Sequence, residues 1–119
     1  MTLSYKFEQE ERLLHVTADG PSSVEVFERV MPQLLQDISG TRDILLLVEI
    51  RNFAPDGYQR HDLGFYVINL IKGDTAKCAF VCPEDLRPIA DDLAQLTQHS
   101  GSPTAVFAGV SSARKWLLA

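Results

Sequence analysis

Long hydrophobic runs are missing from this sequence. The longest aliphatic stretch is Ile-Leu-Leu-Leu-Val at 44–48, and Glu49 ends it. A membrane-spanning helix needs about 20 such residues, so no membrane insertion is expected. Basic charge is also scarce, with 11 Lys and Arg against 16 Asp and Glu and a net charge of −5. Without clustered cations there is no electrostatic footprint for nucleic acid, and docking on anionic lipid headgroups is disfavoured. The first residues, Met1-Thr2-Leu3-Ser4-Tyr5-Lys6, show no basic stretch leading into an apolar one. No secretory signal is read there, and the expected location is cytoplasmic.

Cysteine is limited to Cys78 and Cys82, four apart in a run that reads as a strand. At about 3.3 Å per residue their Cα atoms lie about 13 Å apart, too far for a disulfide. They are expected to be small core residues on one strand face. His15, His61 and His99 are scattered, with no H-x-x-x-H spacing or cysteine-rich company, so no metal site is expected. No glycine-rich phosphate loop and no G-x-S-x-G elbow occurs, and no cofactor is expected. Nucleophile, base and stabiliser cannot be assembled from the residues present, which argues against an enzyme.

What is present is an ordinary globular composition, 45% hydrophobic and 23% charged over 119 residues. That length suits a single domain spanning 1–119, large enough to bury about two-thirds of its unfolded surface. Residues 3–8 and 13–18 alternate in the strand manner around the polar turn Gln9-Glu10-Glu11-Arg12, which predicts a β-hairpin. After Asp19-Gly20-Pro21, Ser22 with Glu25 fits a capping box. Phe27, Val30, Met31, Leu34, Leu35 and Ile38 then recur at helical spacing up to Ser39-Gly40. Pro32 inside that pattern removes one backbone bond and predicts a kink or a split.

The run at 44–50 suits a central strand buried on both faces. A loop and a second helix over 59–72 follow, ended by Gly73-Asp74. A short strand at 77–82 leads through Pro83 into a helix with Leu86, Ile89, Ala90, Leu93 and Leu96 on its core face, then a strand at 104–108. Ser111 or Ser112 is the expected cap of a C-terminal helix bearing Trp116 and Leu117. Strands alternating with helices imply parallel pairing through right-handed crossovers. The fold class is therefore α/β, a mixed sheet of five strands with an N-terminal hairpin, then parallel β-α units, and helices on both faces. Expected core residues are Phe27, Leu34, Leu46, Val48, Phe80, Val81, Leu93, Val106 and Leu117.

The closing stretch, Ala105-Val106-Phe107-Ala108-Gly109-Val110-Ser111-Ser112-Ala113-Arg114-Lys115-Trp116-Leu117, resembles the ending of the SpoIIAA-like, or STAS/SEC14, family. There a short strand ending in Phe leads into a helix ending Ala-x-x-Trp-Leu. Pro32 in the first helix, Arg51 and Phe53 after the third strand, and Lys77-Cys78-Ala79-Phe80-Val81 agree with it. The resemblance covers nearly the whole chain. It implies a small mixed-sheet α/β fold in a bacterial, cytoplasmic protein. It also implies kinship with anti-sigma-factor antagonists and, more distantly, with lipid-binding CRAL-TRIO domains.

In the antagonists a Ser or Thr at the start of the helix after the third strand is phosphorylated. The matching stretch here, 52–62, contains neither, so the resemblance does not carry that switch over. Asp56 stands there either as a fixed negative charge or as a turn residue.

Ligands of open α/β sheets bind beyond the carboxyl ends of the strands. Arg51, Asn52, Phe53, Asp56, Tyr58, Arg60 and His61 fall in that position and form the first candidate site, against the plainer reading of a solvated loop. In the second helix Leu63, Tyr66, Val67, Leu70 and Ile71 make one apolar arc, while Phe65 and Ile68 fall outside it. Surplus apolar residues of that kind cover a cleft or meet a partner. The expected function is a non-enzymatic regulatory or binding module acting on a protein partner or on itself as a homodimer. The alternative is a small pocket for an apolar, lipid-like ligand.

Overall fold

The computed structural model describes residues 2–21, 23–52, 75–99 and 101–119. The strands are β1 (Thr2–Glu8), β2 (Leu13–Asp19), β3 (Ile44–Arg51), β4 (Thr75–Val81) and β5 (Thr104–Phe107). The helices are α1 (Val24–Asp37), α2 (Arg87–His99) and α3 (Val110–Leu118). A single turn of 3₁₀-helix, Glu84–Leu86, precedes α2. The sheet order is β1-β2-β3-β4-β5. β1 and β2 pair antiparallel, and the other three pairings are parallel.

Strand alternation sorts the apolar side chains onto two faces. On one face Leu14, Val16, Leu46, Val48, Ile50, Cys78 and Phe80 pack with Phe27, Met31 and Leu34 of α1 and with Ile89, Ala90 and Leu93 of α2. On the other, Leu13, Leu47, Ala79 and Val81 pack with Ala113 and Leu117 of α3. Cys78 and Cys82 share the first face, both free and buried. Every expected core residue is buried except Val106. Val106 is only half-buried because β5 is a four-residue edge strand whose residues are all partly exposed.

Four local readings differ from the structure. α1 runs unbroken through Pro32 rather than splitting there. Pro32 is exposed, so the carbonyl left unpaired by the missing amide lies on the solvent side. The α1 cap is Ser23, whose hydroxyl accepts from the Val26 amide at 3.4 Å, rather than Ser22; this leaves Glu25 in the first turn near the positive helix end. α3 begins two or three residues earlier than expected, with Gly109 rather than Ser111 or Ser112 as its cap. On α2, Leu96 is 39% exposed and Thr97 takes the core position, because an apolar line through Leu86, Ile89, Ala90 and Leu93 continues to 97. The buried Thr97 hydroxyl is satisfied by the Ala94 carbonyl at 2.9 Å and by Thr104 Oγ1 at 2.6 Å.

α3 is fastened at two points, near its carboxyl end and at its middle. Lys77 Nζ donates to the Trp116 carbonyl at 3.1 Å and lies 5.2 Å from the centre of its indole ring. Arg114 donates two hydrogen bonds to the Glu8 carboxylate, at 3.2 and 3.0 Å. The hydrogen bonds from Arg114 hold the Glu8 carboxyl below its usual range. A depressed folded pKa contributes stability that is complete above the unfolded value and is lost as pH falls through the folded one. With an unfolded value of about 4.3, the loss begins as pH drops toward about 4. Melting temperatures measured across about pH 3 to 7 should therefore converge for the parent and Arg114→Leu at the acid end. Curves that stay parallel would show that the pair contributes no pH-dependent stability.

Candidate functional site

The carboxyl ends of β3, β4 and β5 open into a cleft of about 370 Å³. Glu49, Ile50, Arg51 and Asn52 form one wall; Val81, Cys82, Pro83 and Ala108 form the other. Parallel pairing places it there, because all three strands run the same way and end together. The root of the first wall is rigid. The Gly20 amide donates to the Arg51 carbonyl at 2.9 Å. Asn52 Nδ2 donates to Asp19 Oδ1 at 2.8 Å. Asn52 has φ of 55°, a left-handed backbone that Asn tolerates better than most residues, and it turns the chain out of β3.

Glu49 is a buried carboxylate, 7% exposed. An isolated charge at that depth is costly, and a guanidinium and an imidazole answer it. His15 Nε2 of β2 lies 3.0 Å from Glu49 Oε1. Arg51 Nε donates to Glu49 Oε2 at 2.6 Å, and the Arg51 guanidinium also reaches that oxygen through its terminal nitrogen. Residues 49 and 51 share a sheet face because they are two apart on one strand. His15 joins them from β2, where its register partner is Leu47.

Cys82 at the cleft wall is not a ready nucleophile. Burial raises its thiol pKa, and burial raises that of Cys78 more strongly. The reactive form of cysteine is the thiolate, so both behave as buried hydrophobes. With Glu49 committed to Arg51 and His15, the described cleft residues offer polar recognition and an apolar wall.

Of the sequence candidates, Arg51 and Asn52 stand at this cleft. Phe53, Asp56, Tyr58, Arg60, His61, Phe65 and Ile68 lie outside the described residues, as does the helix expected over 59–72. In the sequence alone Glu49 marks only the end of an aliphatic run, and His15 stands as a lone histidine. The available signal was a charged residue between Val48 and Ile50 in a strand otherwise buried on both faces.

A hairpin followed by parallel β-α units in sheet order 1-2-3-4-5, with helices on both faces, defines a SpoIIAA-like α/β fold. A solved structure shares it over 98% of this chain and 92% of its own, with a TM-score of 0.68 and 16% identity. That structure is an uncharacterized protein of the DUF3478 family with a SpoIIAA-like fold, from Shewanella loihica PV-4. At this identity the likeness establishes the fold. No family model matches the sequence, and no curated protein matches it. Among the described residues no helix is long and apolar enough to cross a membrane.

Proposed function

We propose that this chain is a non-enzymatic regulatory module of the bacterial cytoplasm that works by protein–protein contact, self-association into a homodimer included. The contact surface is the carboxyl end of the sheet together with the segment that follows it, carrying Phe53, Asp56, Tyr58, Arg60, His61, Phe65 and Ile68. The observation that carries this reading is the fixed exit from β3. Arg51 and Asn52 are tied to Gly20 and Asp19 beside an open cleft, so the chain leaves the sheet from a rigid root at the end where such sheets bind. The protonated thiols and the neutralised Glu49 favour recognition over bond-breaking chemistry there.

The experiment is Phe65→Ser combined with Ile68→Ser. Apolar burial is worth about 25 cal/mol per Å², so two such side chains supply a few kcal/mol of gross association energy. Part of this offsets the entropy lost on association, and modest affinity follows. The expected result by light scattering and thermal melting is a smaller species with an unchanged melting temperature. A collapse in melting temperature with no change in size would place both residues in the core and refute the reading.

A second reading, an apolar ligand held in the cleft, is favoured by Ile50, Val81, Cys82 and Pro83 in its lining. Native mass spectrometry followed by denaturation separates the two. A small mass lost on denaturation supports the ligand, and a doubled mass supports self-association.

A further inference from the structure

At the opposite end of the sheet, outside the surface just proposed, β1 is an edge strand among the described residues. Its seven residues pair with β2 in unbroken register, and no bulge or proline blunts it. Its charged residues, Lys6 and the Arg114-paired Glu8, lie on the face away from α1 and leave the α1 side without the usual edge protection. Toward α1 the strand presents Leu3, Tyr5 and Phe7. Leu3 is buried, but Tyr5 and Phe7 are only half-buried.

Those two rings open onto a groove of about 510 Å³, lined by Tyr5, Phe7, Gln9 and Asp37. Its charge is negative. Asp37 accepts hydrogen bonds from the Tyr5 hydroxyl and from Gln33 Nε2, the latter at 2.9 Å. The Tyr5 hydrogen bond keeps the Asp37 carboxyl below its usual range, so it is ionised at neutral pH. Asp37 is also the last residue of α1, whose final turn has no basic residue, so the negative end of the helix dipole is not offset there. The turn after Gln9 adds the exposed Glu10 and Glu11 against one exposed cation, Arg12.

We infer that this flank is a docking site for an extended basic segment of a protein partner, which adds a strand to the outer edge of β1 and places one Arg or Lys side chain in the groove between Phe7, Tyr5 and Asp37. Strand addition supplies affinity through main-chain hydrogen bonds, while pockets for alternate side chains supply specificity. Each element of the groove matches a cation. Aromatic faces attract one, a carboxylate pairs with one, and a helix carboxyl end favours one. Alternation along an added strand puts every second side chain on the α1 side, where Tyr5 and Phe7 stand.

The test uses the intact ¹⁵N-labelled chain and a short acetylated peptide that alternates Thr and Val around a central Arg. The expected result is a shift of the Thr2–Glu8 amide resonances together with those of Asp37. Replacing the central Arg by Glu, or making Asp37→Asn in the protein, should weaken binding about tenfold. Asp37 is exposed, so Asp37→Asn should keep the parent melting temperature, which confirms a folded variant. Equal binding of the Arg and Glu peptides would show indiscriminate edge pairing and overturn the inference. So would β1 amides that stay in place at millimolar peptide. Shifts confined to Tyr5, Phe7 and Asp37, reproduced by N-acetyl-argininamide alone, would show a cation pocket without strand addition and would also overturn it. None of these outcomes touches Phe65 or Ile68, so the two interaction readings stand or fall separately.

Discussion

Arg51→Met should lower the unfolding free energy by about 2 kcal/mol, read as a lower urea midpoint at unchanged slope. The Glu49 side chain is 9% exposed and that of Arg51 52% exposed, so the cation is the replaceable partner and the anion the trapped one. Removing one partner of a fully buried pair costs about 3 to 5 kcal/mol, because the remaining charge is left without compensation. Two features bring the figure down here. His15 still reaches Glu49 Oε1, and water can enter where the half-exposed guanidinium stood. Adding Glu49→Gln to Arg51→Met should restore part of the loss, since a neutral amide is cheaper to bury than a carboxylate. A double variant less stable than either single one would show that Glu49 is retained for a contact other than Arg51.

Phe80→Ala should cost about 4 kcal/mol, the largest single effect we expect in this chain. Phe80 is fully buried in β4, opposite Val48 of β3 and Val106 of β5, and packs in the cluster shared by α1 and α2. Truncation loses the transfer energy of the ring and leaves a cavity that strands paired on both sides cannot close. Small domains have only about 5 to 15 kcal/mol of net stability, so the variant should melt well below the parent. Val106→Ala, on the half-buried edge strand opposite Phe80, should cost about 1 kcal/mol. Similar losses for the two variants, by urea titration, would mean that the β4–β5 side of the sheet relaxes around the missing ring.

The candidate site was legible in part. Arg51 and Asn52 were found because a rule of topology applies: whatever follows a central parallel strand sits at the binding end. Glu49 and His15 were not found, because their importance comes from register. Residues 34 apart meet only when β2 and β3 pair in parallel with Leu13 beside Leu45 and His15 beside Leu47. Nothing local to His15-Val16-Thr17 distinguishes a histidine facing a buried carboxylate from one facing water. The groove at Asp37 was missed for the same reason. It needs the end of α1 to lie against Tyr5, a contact across 32 residues.

The amino-acid pattern alone determined the elements and most of the core. Periods of two and of 3.6 residues are local properties, and burying each apolar stripe dictates which side of each element turns inward. The hairpin, the doubly buried β3, the common face of Cys78 and Cys82 and the burial of Leu117 all follow from that. Tertiary structure alone decided where α1 and α3 begin, why Thr97 rather than Leu96 enters the core, and that Pro32 can sit within an unbroken helix. It also decided which polar side chains meet: Glu8 with Arg114, Glu49 with His15 and Arg51, Asp37 with Tyr5. Charge contacts act through space between residues with no periodic relation along the chain, and hydrophobic patterning constrains only which face a polar side chain occupies, never its partner.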